Sequence, residues 1–395
     1  SPNIQDLDFG APTATMPLGM ASTIIQSQET WTQEFRFEKN PDGPVAWKGG
    51  LFFLNTEIDG DGERQYPAPS AYVTDTTLHT AKEENLAAFG SFEYDYAEHV
   101  QLFGGLRWDR TERSMKRDKT TVMAPYASMT DPTTYIISAA TPVDSSTTFT
   151  QVTPSVGATI DVSETTKWFA KTSVGYKPGG YSAFTDATNL QYDEEKAWTS
   201  EVGITLEPNS TWRMTVAAFW SEIEDYQFEK TLSPLSTDYA IINADEVQGK
   251  GIEAELVAQP TENLLVSAAL GINDMTFEKH AGFEGNNVPF APRHTLNLAA
   301  QYNVPGGYYG RVEYRSVGDT FYDEENNAAL LQEEYSVINA SIGYERNGYS
   351  IQVFGRNLGD ERYYSNISPV SKAAGLIGGM AGTPRLFGVS LSKHF

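Results

Sequence analysis

The amino-acid sequence predicts an all-β fold, a transmembrane antiparallel β-barrel, and three observations carry the prediction. Apolar residues alternate with period two through segments of ten or more residues, and short turns interleave with long loops. No run of about 18 apolar residues occurs anywhere. The first two describe a meander of long strands with one apolar face, and the third excludes a helical membrane protein.

The alternation is clean in several places. Across 149–162, Val152, Pro154, Val156, Ala158, Ile160 and Val162 share one face, opposite Gln151, Thr153, Ser155, Thr159 and Asp161. Across 210–221, Trp212, Met214, Val216, Ala218 and Trp220 oppose Arg213, Thr215, Ala217 and Ser221, and Ile252, Ala254, Leu256 and Ala258 oppose Glu253 and Glu255. About fifteen strands follow, near 29–38, 44–58, 84–96, 99–112, 149–162, 165–177, 195–207, 210–225, 246–259, 262–276, 294–303, 308–318, 334–346, 348–358 and 385–395. Soluble sheets favour strands of about five or six residues, so this length favours a membrane.

The connections alternate too. Short turns at 207–210, Pro260-Thr261-Glu262, Pro305-Gly306-Gly307 and Asn347-Gly348 interleave with loops near 59–83, 113–148, 178–194, 226–245, 277–293, 319–333 and 359–384. Bacterial outer-membrane barrels place short turns in the periplasm and long loops outside. Trp212 and Trp220 are spaced to span roughly 20 Å of membrane normal at a strand tilt of about 40°, near the height of an apolar band between two aromatic girdles. The other reading, two core tryptophans of a soluble sheet, would require Glu253, Glu255, Arg311, Glu313 and Arg315 on the opposite faces each to be paired in a packed core. A water-filled lumen imposes no such demand.

Composition narrows the chemistry. The 395 residues carry a formal charge of −24, which argues against a phosphate-binding surface and hence against nucleic acid. A mean hydropathy of −0.40 does not count against a barrel, which needs apolar side chains on one face only. The absence of cysteine removes disulfides, thiolate metal sites and a cysteine nucleophile. His79, His99, His280, His294 and His394 lack ligand-like spacing, and no nucleophile elbow, phosphate loop or dinucleotide fingerprint occurs, so no enzyme, metal or cofactor is expected. A Ser-His-Asp site assembled from distant loops is the remote alternative. Asp59-Gly60-Asp61-Gly62-Glu63 reads as a solvated Asp-Gly turn, with a calcium loop as its alternative reading; it lacks the EF-hand spacing.

The last segment, PRLFGVSLSKHF, puts Phe387, Val389, Leu391 and Phe395 on one face, with Lys393 departing from the alternation, and resembles the C-terminal assembly signal of outer-membrane barrels. GYKPGGYS at 175–182, TQEFRF at 32–37, the stretch from Glu195 to Gln227, GKGIEAEL at 249–256 and VFGRNLGDERYY at 353–364 resemble successive barrel segments of TonB-dependent receptors, nearest the pesticin-receptor-like branch. The resemblance implies a 22-stranded barrel, an N-terminal plug domain and uptake driven by the TonB energy-transducing complex of the inner membrane. The plug is not in this sequence.

The function expected on these grounds is energised uptake of a scarce nutrient through the Gram-negative outer membrane, with a ferric siderophore as cargo. A passive porin, or an importer of a glycan or another non-iron nutrient, is the alternative. Candidate ligand contacts are Lys177 and Tyr181 around the KPGG segment, and Tyr226, Phe228 and Tyr322 at strand-loop junctions. Each has a plainer reading, as a strand end and turn or as a girdle or loop-packing aromatic.

Parity adds a partner. With Phe395 periplasmic, about fifteen strands put the segment before Gln33 outside, and closing a barrel whose ends are both periplasmic takes an even number. Seven further strands complete the 22 that the resemblance implies. Residues 29–395 are then the C-terminal part of the barrel, and residues 1–28, with Pro2, Pro12 and Pro17, read as the remnant of an extracellular loop. A second polypeptide carrying the plug and the first seven strands is expected to pair with both edges, in a setting of lipid and lipopolysaccharide.

Overall fold

A chain rich in period-two alternation satisfies its backbone by pairing each strand with the next, and the structure does so throughout. The computed structural model describes residues 3–7, 20–39, 43–68, 70–185, 190–231, 239–371 and 376–393. Fifteen long strands form one antiparallel meander: β1 (Met20–Lys39), β2 (Val45–Pro67), β3 (Ala71–Ala97), β4 (Val100–Pro125), β5 (Val143–Ser163), β6 (Thr166–Lys177), β7 (Glu195–Asn209), β8 (Trp212–Thr231), β9 (Tyr239–Thr261), β10 (Leu264–Lys279), β11 (His294–Val304), β12 (Tyr308–Val317), β13 (Tyr335–Arg346), β14 (Tyr349–Arg356) and β15 (Leu386–Lys393). Asn3–Leu7 pairs with the first residues of β1 on the edge away from β2. Ile136–Ala139 pairs with β4 at Thr120–Met123, ahead of β5, which joins β4 from Arg117 downward. Among the described residues no pairing joins β15 to β1, so the edge of Ile25–Lys39 away from β2 and the edge of β15 away from β14 have no neighbouring strand.

The two faces are chemically distinct. Trp212 and Trp220 lie on one face at 40% and 44% exposure, with Ile252 exposed on that face of β9. On the opposite face Arg311 donates to Glu313 at 2.7 Å and Lys171 lies 2.9 Å from Glu201. An exposed apolar face backed by a polar face of ion pairs is the reverse of a soluble sandwich, in which the apolar face is covered.

The strands are where the alternation places them, but several are longer. β2 and β3 run to Pro67 and from Ala71 through the expected loop at 59–83, β4 extends to Pro125, and β8 and β9 close to Thr231 and Tyr239. In these extensions both faces carry polar residues, so the apolar period fades while the backbone ladder continues. Asp59-Gly60-Asp61-Gly62-Glu63 therefore lies in the middle of β2, paired with Thr76–Thr80, and is neither a turn nor a cation loop. The Asp59 carboxylate accepts from the Thr80 hydroxyl at 2.7 Å. A Cβ on Gly60 would sit 2.1 Å from the His79 ring, which explains the glycine by close packing instead. β1 likewise begins at Met20, so the segment expected as a loop remnant contains an antiparallel pairing of 3–7 with 20–24, and 25–28 already pair with β2.

At the C-terminal end Phe387, Val389 and Leu391 share the exposed apolar face. The Lys393 ammonium lies 4.8 Å from the centroid of the Tyr349 ring, a snorkelling contact that accommodates the break in alternation. Phe395 lies outside the described residues.

The RNLGDERYY segment is built around one side chain. Asn357, only 1% exposed and at φ 47°, donates through Nδ2 to the carbonyls of Glu361 (2.8 Å) and Thr383 (3.0 Å) and accepts from the Glu361 N–H at 2.8 Å. Asp360 at φ 55° accepts from the Arg385 guanidinium at 3.3 Å, tying the loop to the start of β15. Asn357→Ala strands three backbone groups in a buried turn and adds left-handed strain, so a loss of about 2–4 kcal/mol is expected in urea unfolding from bilayers. Asn357→Gly, which removes the strain alone, is expected to recover only the smaller part.

Candidate functional site

The most constrained part of the polar face lies at the end bearing the long connections. Arg113 and Arg117 are four residues apart on β4 and so share a face, and the ladder brings Arg64 of β2 to that face through Asp75 and Thr121. All three guanidiniums donate to backbone carbonyls of the β6–β7 connection. Arg113 Nη1 reaches Gly179 at 2.9 Å and Pro178 at 3.4 Å, Arg117 Nη1 reaches Thr185 at 2.7 Å and Ala183 at 3.3 Å, and Arg64 Nη2 reaches Phe184 at 2.8 Å. The connection thus folds over the polar face from β6 toward β2 as a ledge. The KPGG glycines permit the close approach: a Cβ on Gly179 would lie 2.6 Å from the Phe149 ring and 2.4 Å from the Tyr192 carbonyl oxygen.

The returning arm is held from the other side. Gln227 Nε2 donates to the carbonyls of Pro178 (3.1 Å) and Asp193 (2.8 Å), and Asn243 Nδ2 donates to those of Asp193 (3.0 Å) and Asp225 (2.7 Å). The Ile241 N–H donates to Ser182 Oγ at 3.0 Å. Beneath the ledge, Asp75 is buried and accepts from Thr121 Oγ1 at 2.6 Å and Tyr66 OH at 3.2 Å, with Arg64 Nη2 at 3.5 Å and Lys119 Nζ at 3.7 Å. These partners compensate the Asp75 side chain for its removal from water.

The five ligand-contact candidates fall into different settings. Lys177 keeps 53% exposure at the root of the ledge and pairs with Glu195 at 3.1 Å; the same Glu195 oxygen accepts from the Gln227 N–H at 2.7 Å. Tyr181 lies on the ledge, its hydroxyl 2.6 Å from Thr147 Oγ1. At Asp225 the backbone turns to φ 53°, and the buried side of β8 passes from odd positions (Ala217, Ile223) to Phe228. Phe228 is 7% exposed and packs against Phe277 and the His280 ring, with Tyr226 stacked on it at 6.3 Å. Tyr322 stands apart, its ring edge-on to Phe290 at 5.1 Å. Lys177 and Tyr226 are thus linked through Glu195 and Gln227, Tyr181 is carried beside them, and Tyr322 belongs to the β12–β13 connection.

The anchoring residues Arg64, Arg113, Arg117, Gln227 and Asn243 carry no sequence signal as a set. Arg113 and Arg117 share a strand face, yet they fall where a loop was expected, and their acceptors are backbone carbonyls about 65 residues away. Among the described residues no group of His, Asp or Glu side chains forms a metal-binding set.

The ends of β8, β9 and β10 and the β10–β11 connection meet in a small apolar cluster of Ile223, Phe228, Ala244, Val247, Phe277 and Val288. Lys230 reaches across it to Glu324 at 2.8 Å and lies 5.6 Å from the Phe283 ring. His280 sits among Phe228, Phe277 and Phe283, and its Nε2 is buried with no hydrogen-bond partner. Burial, then Lys230, push its pKa down, against the opposing pull of Glu324, Asp245 and Glu284. A lowered histidine pKa means that the folded state binds fewer protons, so the neutral ring's contribution is complete above about pH 6.5 and is lost as pH falls through the depressed value. Amide protection factors in 277–293, with the intrinsic pH dependence of exchange divided out, are expected to fall on acidification in the wild type and to respond less in His280→Phe.

The family described as TonB dependent receptor-like, beta-barrel matches residues 3–358. The ferric-pyoverdine receptor PbuA of Pseudomonas sp. is 26% identical over 427 aligned residues, which take in 100% of this chain and 50% of that protein. Among solved structures, the ferric yersiniabactin uptake receptor FyuA of Yersinia pestis superposes with a TM-score of 0.76 at 20% identity, over 96% of this chain and 56% of that one. The copper transporter OprC does so with a TM-score of 0.71 at 16% identity, over 100% and 61%. The chain therefore spans about half the length of its relatives, and the matched residues run from the hairpin ahead of β1 through the loop after β14. This meander of long two-faced strands belongs to the β-barrel family of TonB-dependent outer-membrane receptors.

Proposed function

We propose that the chain is the C-terminal barrel part of an outer-membrane receptor that imports a ferric siderophore by energised transport. The observation that carries this reading is the alignment of the whole chain with a ferric-pyoverdine receptor inside a matched receptor family. Within the family we place it nearest the pesticin-receptor-like branch, on its GYKPGGYS and VFGRNLGDERYY segments.

In this reading the apolar face meets lipid and lipopolysaccharide, and the polar face lines an aqueous lumen. The long connections, ledge included, are extracellular, and the short turns and the C-terminus are periplasmic. The unpaired edges of β1 and β15 would cost several kcal/mol for each backbone group left bare in a bilayer. An N-terminal chain or segment carrying the plug and seven further strands satisfies them, closes a 22-stranded barrel and couples it to TonB. The hairpin of Asn3–Leu7 on the β1 edge supports this reading, because it already sets the direction in which such a strand would run.

Lys177, Tyr181 and Tyr322 retain enough exposure for direct ligand contact, a cation and two rings against a chelate with oxygen donors. Tyr226 and Phe228, packed in the loop cluster, support the mouth, and Phe228 could touch ligand only by leaving that cluster.

The test uses the complete protein in isolated outer membranes and in cells. Ferric pyoverdine and ferrioxamine B are expected to quench intrinsic fluorescence at submicromolar concentration, and uptake of radioactive iron is expected to stop when the proton-motive force is dissipated. Lys177→Ala and Tyr181→Ala are each expected to weaken binding about ten-fold, or ~1.4 kcal/mol. Uptake indifferent to the proton-motive force would establish the passive channel instead. Saturable binding of copper salts with no response to either chelate would move the cargo to a metal ion.

A further inference from the structure

We infer that Arg113, held by Glu83, is the positioning residue that keeps the ligand mouth preformed; this rests on the receptor reading above. Arg113 Nε and Nη2 both donate to Glu83 Oε2, at 3.0 and 2.7 Å, and leave Nη1 aimed at the carbonyls of Gly179 and Pro178. The guanidinium plane is thus fixed on one side by a carboxylate on β3 and spends its remaining edge on the ledge. Both partners are half-buried, at 25% and 31% side-chain exposure, so the pair is less screened than a surface ion pair.

Position makes this residue different from Arg64 and Arg117. Those two hold the far end of the ledge, at 183–185, whereas Arg113 holds the hinge immediately after Lys177. The Pro178 carbonyl that it reaches also accepts from Gln227, whose own N–H donates to the Glu195 carboxylate paired with Lys177. Through one carbonyl, then, β3, β4, β6, β7 and β8 agree on where the Lys177 ammonium and the Tyr181 ring stand. Without Arg113 the turn keeps only the neutral Gln227 contact at this carbonyl. A ligand would then bear the ordering cost of the segment, which appears as lost affinity.

The experiment uses the complete protein with spin labels at Gln191→Cys on the returning arm and Asp144→Cys on β5, both exposed positions. The wild type is expected to give one narrow distance distribution, unchanged on adding ferric pyoverdine or ferrioxamine B. Arg113→Gln is expected to broaden it and to weaken binding of the accepted chelate about ten-fold, with a smaller change in saturating uptake rate. Glu83→Gln, which keeps an acceptor, is expected to lie nearest the wild type, and Arg113→Lys, which cannot serve carboxylate and carbonyl together, between the two. Retention of the heat-resistant folded band on gels by all three variants separates positioning from barrel assembly. If Arg113→Gln fails to assemble, Arg113→Lys carries the same comparison.

An undisturbed distribution in Arg113→Gln overturns the inference, as does a broadened distribution with unchanged affinity. Affinity lost with the distribution still narrow overturns it as well, since Arg113 would then act on the ligand directly. A wild type that binds neither chelate overturns the receptor reading, while the label distances still decide whether Arg113 holds the ledge.

Discussion

The backbone ladder between consecutive strands is the constraint on which everything else in this molecule depends. A strand in hydrocarbon has no water to satisfy its amides, so every N–H and C=O must find a neighbour. The fifteen strands answer by pairing in sequence order, with few register shifts and mostly tight turns at one end. Once the ladder is continuous, side chains are released from holding the fold and can differentiate the two faces. Tryptophans and branched aliphatics occupy one face and ion pairs the other, which a globular core could not tolerate. The same constraint gives meaning to the edges along Ile25–Lys39 and β15 that have no partner among the described residues.

Where strands outrun the apolar band, the ladder stops being sufficient and side chains take over. β2, β3 and β4 continue as a tall polar sheet, and its inner surface is consolidated by Asp75 with Tyr66 and Thr121 and by arginines that reach the ledge. At the other end of the same arc, Phe228, Phe277 and His280 give the connections a small core of their own. The mouth is therefore built from two kinds of cement. Hydrogen bonds from arginine side chains to backbone carbonyls fix the ledge. Apolar packing around Phe228, Phe277 and His280 fixes the neighbouring segments.

Much of the wall was legible in the sequence because its physics is local. Alternation at Trp212–Trp220 and Ile252–Ala258 follows from the two-residue period, and the turn at Asn347-Gly348 from the positive φ that both positions adopt. The loop boundaries are not legible, because the period-two signal depends on an apolar face, and Asp59–Glu63 has none while still pairing residue for residue. The ledge was invisible for a different reason: its anchors are side chains meeting carbonyls across long sequence separations, and carbonyls carry no sequence signature. Phe228 is legible as a junction aromatic, but only the turn at Asp225 decides that it faces inward to pack.

The central claim is that one face of this meander looks onto water and the other onto lipid, and β8 offers the most direct measurement of it. The chain contains no cysteine, so single cysteines can be placed in turn from position 212 to 221 without background from this chain. Labelling in native outer membranes with a small charged thiol reagent is expected to be fast at 213, 215 and 221 and slow at 212, 214, 216, 218 and 220, with a lipid-dissolved photoreactive probe giving the complementary pattern. Reactivity without a two-residue period, or stronger aqueous labelling at the tryptophan positions than between them, would contradict the account.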